Sequence, residues 1–153
     1  MLELPHTIVG ATLAAKIGNP LLSLPLAFLS NFVLDMLPHW NPHLTSELKN
    51  LGKISKKTTL IIFLDTLLSL IAGTFIAFKF FPDGQKIVVV LAGCFLAVLA
   101  DLSEAPYFFL GIRSKFTEKT IGLQKKLQWN APFIPGIISQ IVLLVFCFWL
   151  IFQ

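Results

Sequence analysis

Five apolar stretches separated by polar runs organise this chain, and each predicts a helix. The first, 4–17, is short and rich in small residues (Gly10, Ala11, Ala14, Ala15), and the turn signal Gly18-Asn19-Pro20 ends it. It falls well short of the ~20 residues needed to cross a bilayer core. Its small residues suit close packing, which predicts a partial-span or re-entrant helix against a neighbour. The second stretch, 21–37, is apolar apart from Ser23, Ser30, Asn31 and Asp35. The third, 59–81, is interrupted by Asp65, and the fourth, 86–110, by Asp101 and Glu104, with a kink expected at Pro106. The last, 132–152, has Gln140 as its strongly polar interior residue and Trp149 near its end. The expected architecture is all-α: a polytopic membrane helix bundle of four spanning helices plus the short N-terminal one, in a single domain over 1–153.

Composition sharpens this picture. Of 153 residues 56% are hydrophobic and 13% charged, with 15 phenylalanines; a soluble domain carries roughly 25% charged residues. Mean hydropathy is +0.81. The net charge of +4 comes from lysines in the connecting runs, not from a nucleic-acid-binding surface. Lys49, Lys53, Lys56 and Lys57 fall in 41–58, and Arg113, Lys115, Lys119, Lys125 and Lys126 in 111–130. Two spans separate these basic loops, so both lie on one side, and the positive-inside bias makes that side cytoplasmic. Trp129 is expected as an interfacial anchor. Cys94 and Cys147 lie within apolar stretches without metal or redox spacing and are expected as small core or lipid-facing residues. No cleavable leader pattern opens the chain, because Glu3, Pro5 and His6 stand where a basic region would.

Against that background the polar residues inside the apolar stretches carry the chemistry. Asn31, Asp35 and His39 are spaced four apart, which stacks them on one helical face, although Pro38 weakens the geometry at His39. A carboxylate inside a membrane segment costs roughly 2.5–3.5 kcal/mol on insertion scales and is a functional-site hypothesis by default. The topology puts His6, Asp35, His39, Asp65 and Asp101 at a similar depth near the basic side. Asp65 is expected six residues into its helix, or about 9 Å. Two imidazoles with three carboxylates suit Zn²⁺, with Mn²⁺ or another hard divalent ion as alternatives. A cation would also offset the repulsion among the acids. The lysines of the basic loops favour an anionic substrate at the membrane surface.

Plainer readings exist for each residue. His6 is also a capping or solvated histidine, Asp65 a helix cap or a lysine partner, and Asn31 an interhelical hydrogen bonder. Glu104 is a supporting acid or a headgroup-level residue, and His43, after Pro42, is loop. The phenylalanine stripes are lipid-facing packing.

The opening Leu4-Pro5-His6-Thr7-Ile8-Val9-Gly10 and the block Leu29-Ser30-Asn31-Phe32-Val33-Leu34-Asp35-Met36-Leu37-Pro38-His39-Trp40 resemble the small bacterial membrane-bound metal-dependent hydrolases. These are also described as LexA-regulated, inner-membrane-associated hydrolases. The resemblance continues through Phe63-Leu64-Asp65, Gly93 to Asp101, Pro106-Tyr107 and Leu127-Gln128-Trp129. It implies a distant likeness to the all-helical zinc-dependent phospholipase C superfamily, and so phosphoester chemistry. It also implies His6, Asp35, His39 and Asp101 as metal ligands, with Asp65 as ligand or general base and Asn31 beside it in the catalytic set. Two positions depart from the family pattern: Asn31 and Gln124 stand where histidines are expected. One metal instead of several, a harder ion such as Mn²⁺ or Mg²⁺, and lost activity all remain open on that account.

The expected function is a metal-dependent hydrolase in the bacterial inner membrane, acting on a lipid or lipid-linked phosphoester at the cytoplasmic interface. Its expected partners are membrane lipid and a small-molecule or lipid substrate. Two alternatives stand beside it: an ion or solute transporter using the same acids, with Gln140 continuing the path into the opposite half, and a catalytically silent scaffold.

Overall fold

A computed structural model describes all 153 residues, with seven helices: α1 (Glu3–Ile17), α2 (Pro20–Asp35), α3 (Leu44–Leu51), α4 (Lys56–Phe78), α5 (Gly84–Leu110), α6 (Lys115–Leu127) and α7 (Phe133–Phe152). The fold is all-α, as expected. Three helices, α4, α5 and α7, are long and apolar enough to cross a membrane, rather than four. The difference lies in α2. Asn19 caps it through its side chain, Pro20 starts it, and it stops at Asp35 after 16 residues, about 24 Å. Pro38 disfavours the helical region for Leu37, so residues 36–38 turn out of the helix. The basic runs are also more ordered than loops. They contain the amphipathic helices α3 and α6, the latter capped by Ser114.

α1 is the axis of the bundle and packs against α2, α4, α5 and α7. It runs antiparallel to α5 through a crossing of small residues. A Cβ on Gly10 would lie 2.6 Å from the Ala97 Cβ, and one on Gly93 would lie 2.6 Å from the Ala14 Cβ. Two facing small-xxx-small faces therefore let the backbones touch. Glu3 meets Asp65 and Thr7 meets Gly73 of α4, so α1 and α4 run in the same direction. Ile8, Ala11, Ala14, Ala15, Ile76, Val90 and Ile151 complete the packed core at the far end.

The bundle wears its apolar residues outward. On α4, Asp65, Ser69, Gly73, Ile76 and Ala77 are buried, while Phe63, Leu67, Ile71, Phe75 and Phe78 are exposed. Polar and small side chains inside with large apolar ones outside is the arrangement that lipid selects. Phe63, Phe95, Phe133 and Phe146 are exposed, and Cys94 and Cys147 are buried free thiols. Trp129 and Trp149 are exposed.

Candidate functional site

α1 begins inside the bundle, so its free backbone N–H groups must find partners there. Asp65 of α4 supplies two. Its Oδ2 accepts from Glu3 N at 2.6 Å and its Oδ1 from Leu4 N at 3.2 Å. Gln140 of α7 supplies a third, accepting from Leu2 N at 3.1 Å while its own amide donates to the Trp40 carbonyl at 3.0 Å. Pro5 has no N–H to satisfy. The polar interruptions of α4 and α7 are thus caps for a neighbouring helix. Gln140 stands at the same level as Asp65, not in the opposite half as the transport reading requires. Asp65 also lies deeper than expected. α4 starts at Lys56, so Asp65 is nine positions in, about 14 Å.

Asp35 is fully buried at the end of α2. Its Oδ1 pairs with the Met1 ammonium. His6 Nε2 is 3.5 Å and His39 Nε2 3.7 Å from that same oxygen, and Gln128 donates to Oδ2 at 3.3 Å. His39 reaches Asp35 by a route other than helical stacking. It lies past the helix, in an extended pairing with Asn130, where its N–H donates to the Trp129 carbonyl at 3.1 Å. Gly136 makes room for this segment, since a Cβ there would lie 2.8 Å from the Trp40 Cβ. His39 Nδ1 is 2.8 Å from the Leu37 carbonyl. That contact places the ring proton on Nδ1 and turns the Nε2 lone pair toward Asp35. Burial first, and then the nearby Met1 ammonium, push the His39 imidazole down to about 4, so it is neutral at physiological pH.

Asp101 of α5 faces His6 Nε2 at 3.9 Å. Its other contacts are amides. Asn31 donates to Oδ2 at 2.5 Å and Gln124 donates to Oδ1 at 2.7 Å. Gln124 also donates to Asn31 Oδ1 at 3.1 Å, and Asn31 to the Ala97 carbonyl at 2.9 Å. Asn31 and Gln124 therefore meet on one carboxylate and occupy both of its oxygens. Glu104 is buried near this level with no partner for Oε1, and His6 Nδ1 likewise has none. His43 is exposed and precedes α3, as its loop reading expects.

The donor types fit a divalent cation at His6, Asp35 and His39, which would have to displace the Met1 ammonium that pairs with Asp35 Oδ1 and lies 3.4 Å from His6 Nε2. Ligands about 2.1 Å from one ion stand roughly 3–3.5 Å from each other, close to the 3.5 and 3.7 Å separations around Asp35 Oδ1. The Nδ1–carbonyl contact of His39 is the supporting bond that metal-bound imidazoles use. These are pairwise approaches, however. No group of three or more His, Cys, Asp or Glu side chains closes into one ligand shell. Asp101 fits less well, because amides hold both of its oxygens. Asp65 fits least, because its lone pairs cap α1.

A cavity of about 480 Å³ opens beside this cluster between α4 and α5. Met1, Asp101, Gln124 and Gln128 belong to its wall, whereas His6, Asp35 and His39 lie behind that wall and are fully buried. Glu3, Asp65, Glu104 and Lys125 also line it. Composition and spacing gave no signal for Gln128 or Glu3, whose roles depend on how the helices cross. Comparisons with family models, with curated proteins and with solved structures return no match to this chain.

Proposed function

We propose that this protein is a metal-dependent hydrolase of the bacterial inner membrane that acts on the phosphoester of a membrane lipid or lipid-linked headgroup. One observation carries the reading. Two imidazole nitrogens converge on one buried carboxylate oxygen, His6 at 3.5 Å and His39 at 3.7 Å, beside a cavity between candidate spanning helices. His6, Asp35 and His39 would hold the ion. A divalent ion there supplies Lewis acidity toward a phosphoryl oxygen. The chain's own residues do the rest. Leu37 fixes the His39 tautomer, Gln128 orients Asp35, and Asn31 with Gln124 holds Asp101 at the cavity wall. The amide contacts on Asp101 favour a single metal over two. Lysines on α3, α4 and α6 favour a cytoplasmic cavity mouth by the positive-inside bias.

Release of water-soluble phosphorus, as phosphorylated headgroup or phosphate, from mixed phospholipid vesicles tests this reading, with added Zn²⁺ or Mn²⁺ and with chelator. Metal-stimulated release that falls at least about a hundredfold in His39→Ala and Asp35→Ala is expected, because losing only an outer-shell partner of a ligand already costs about 10–100-fold. Release equal in wild type and both variants would refute it.

A second reading, a silent scaffold, is favoured by a specific observation: protein N–H groups occupy both oxygens of Asp65 and of Asp101. It predicts that Asp65 and Asp101 matter for stability while metal never binds.

A further inference from the structure

The cavity between α4 and α5 has a shape and charge distribution of its own. Its walls run along α5 from Leu91 to Phe109 and along α4 from Ile62 to Thr74. Much of that lining is apolar and open to the surroundings, with Leu70, Phe95 and Leu102 exposed. From Glu104 to Leu91 is thirteen positions, about 20 Å of helix. One leaflet of a ~30 Å hydrocarbon core has a comparable depth. The other end is acidic. Glu3 and Glu104 line it beside Asp65 and Asp101, with Lys125 at the rim and the Met1 ammonium on the wall already paired to Asp35.

Among these acids Glu104 alone has a buried oxygen without a hydrogen-bond partner. Asp65 and Asp101 have both oxygens engaged by protein N–H groups. Glu104 is 8% exposed, lines the cavity, and has no hydrogen-bond partner for Oε1. A buried carboxylate oxygen without a donor costs free energy unless a ligand supplies one. The complementary group is a cation with N–H donors, attached to an apolar chain that fills the cleft, with an anionic group able to reach Lys125. The cleft lies between two helices fit to span a bilayer, so its surroundings are lipid.

We propose that this cleft binds one phospholipid with a primary ammonium headgroup, of the phosphatidylethanolamine type. The ammonium meets Glu104 and Glu3, the phosphate faces Lys125, and one acyl chain lies between α4 and α5. Naming this lipid as the substrate rests on the hydrolase reading; the binding itself does not.

Native mass spectrometry of the full chain, released from nanodiscs of equal phosphatidylethanolamine, phosphatidylcholine and phosphatidylglycerol in chelator, separates the two. The expected result is one bound lipid, with the ethanolamine form enriched about tenfold over choline, the scale of one charge-assisted hydrogen bond. Glu104→Gln keeps the side-chain volume and should lower that enrichment to about unity, with Glu3→Gln lowering it in part. Val98→Trp, which fills the cleft wall, should remove lipid of every class. Free phosphoethanolamine should not compete, because it lacks the chain. Lipid bound in the bilayer ratio by wild type, enrichment unchanged in Glu104→Gln, or displacement by phosphoethanolamine would each overturn the proposal. Chelator excludes turnover, so failure here leaves metal-dependent hydrolysis standing, and failure of hydrolysis leaves lipid binding standing.

Discussion

Replacing Asp65 by alanine removes the acceptor for two backbone N–H groups at the start of α1, those of Glu3 at 2.6 Å and Leu4 at 3.2 Å. In water a lost N-cap costs ~1 kcal/mol, because solvent replaces it. Here the donors lie inside the bundle, and each unsatisfied N–H costs roughly 1–3 kcal/mol. Asp65→Ala should therefore destabilise the fold by about 2–6 kcal/mol. Asp65→Asn keeps one acceptor oxygen and loses the attraction of the negative charge for the helix N-terminus, worth ~0.3–1 kcal/mol. It should retain about half of the lost stability. Ser69→Ala is the control on the same face, since its hydroxyl bonds only the Asp65 carbonyl one turn back. Equilibrium unfolding in mixed detergent micelles, followed by tryptophan fluorescence, gives the three values. The order should be Asp65→Ala, then Asp65→Asn, then Ser69→Ala nearest to wild type. Asp65→Ala within about 0.5 kcal/mol of wild type, the range of an ordinary surface change, would refute the capping role and return Asp65 to the catalytic set.

Three further outcomes follow from the same contacts. Gly93→Leu should abolish the α1–α5 crossing, because even a Cβ there lies 2.6 Å from the Ala14 Cβ; folded yield and limited proteolysis read the loss, and near-wild-type yield would contradict the close crossing. Asn31→His with Gln124→His replaces both amides on Asp101 by imidazoles and should raise bound metal from one to two ions per chain by elemental analysis; unchanged stoichiometry would show that the amides do not set the metal number. Glu47 is held below its ordinary value of 4.5, first by the Ser55 hydroxyl, so its pairing is present above that value and lost as pH falls through the lower folded one. Hydrogen exchange in α3 should accordingly quicken as pH drops below about 4.5, after correction for intrinsic rates, and Glu47→Gln should remove that pH dependence.

The helices were legible where apolar length decides them. α4, α5 and α7 lie within a few residues of the expected stretches. α2 was misjudged because apolar character continues through Met36 and Leu37 while Pro38 ends the helix sooner. α3 and α6 were hidden because their polar residues read as loop; their amphipathic faces acquire meaning only against the bundle. The convergence of His6, Asp35 and His39 was legible from spacing and topology, although His39 arrives through an extended segment instead of the helical face. The partners of Asp65 were not legible. Nothing in the sequence says that α1 starts inside the bundle, and only that fact turns an intramembrane acid into a cap. Gln140 escaped for the same reason. Asn31 and Gln124 are 93 positions apart, and their meeting on Asp101 depends on where α6 folds back over the end of α2.

In the proposed function His6, Asp35 and His39 hold a divalent ion. Metal content of the full-length protein, purified without chelator and measured by inductively coupled plasma mass spectrometry, tests it most directly. One Zn²⁺ or Mn²⁺ per chain is expected in wild type and less than about a tenth of that in Asp35→Ala and His39→Ala, since losing only an outer-shell partner costs about 10–100-fold in affinity. Wild type free of divalent metal after reloading, or variants that keep the full equivalent, would contradict it.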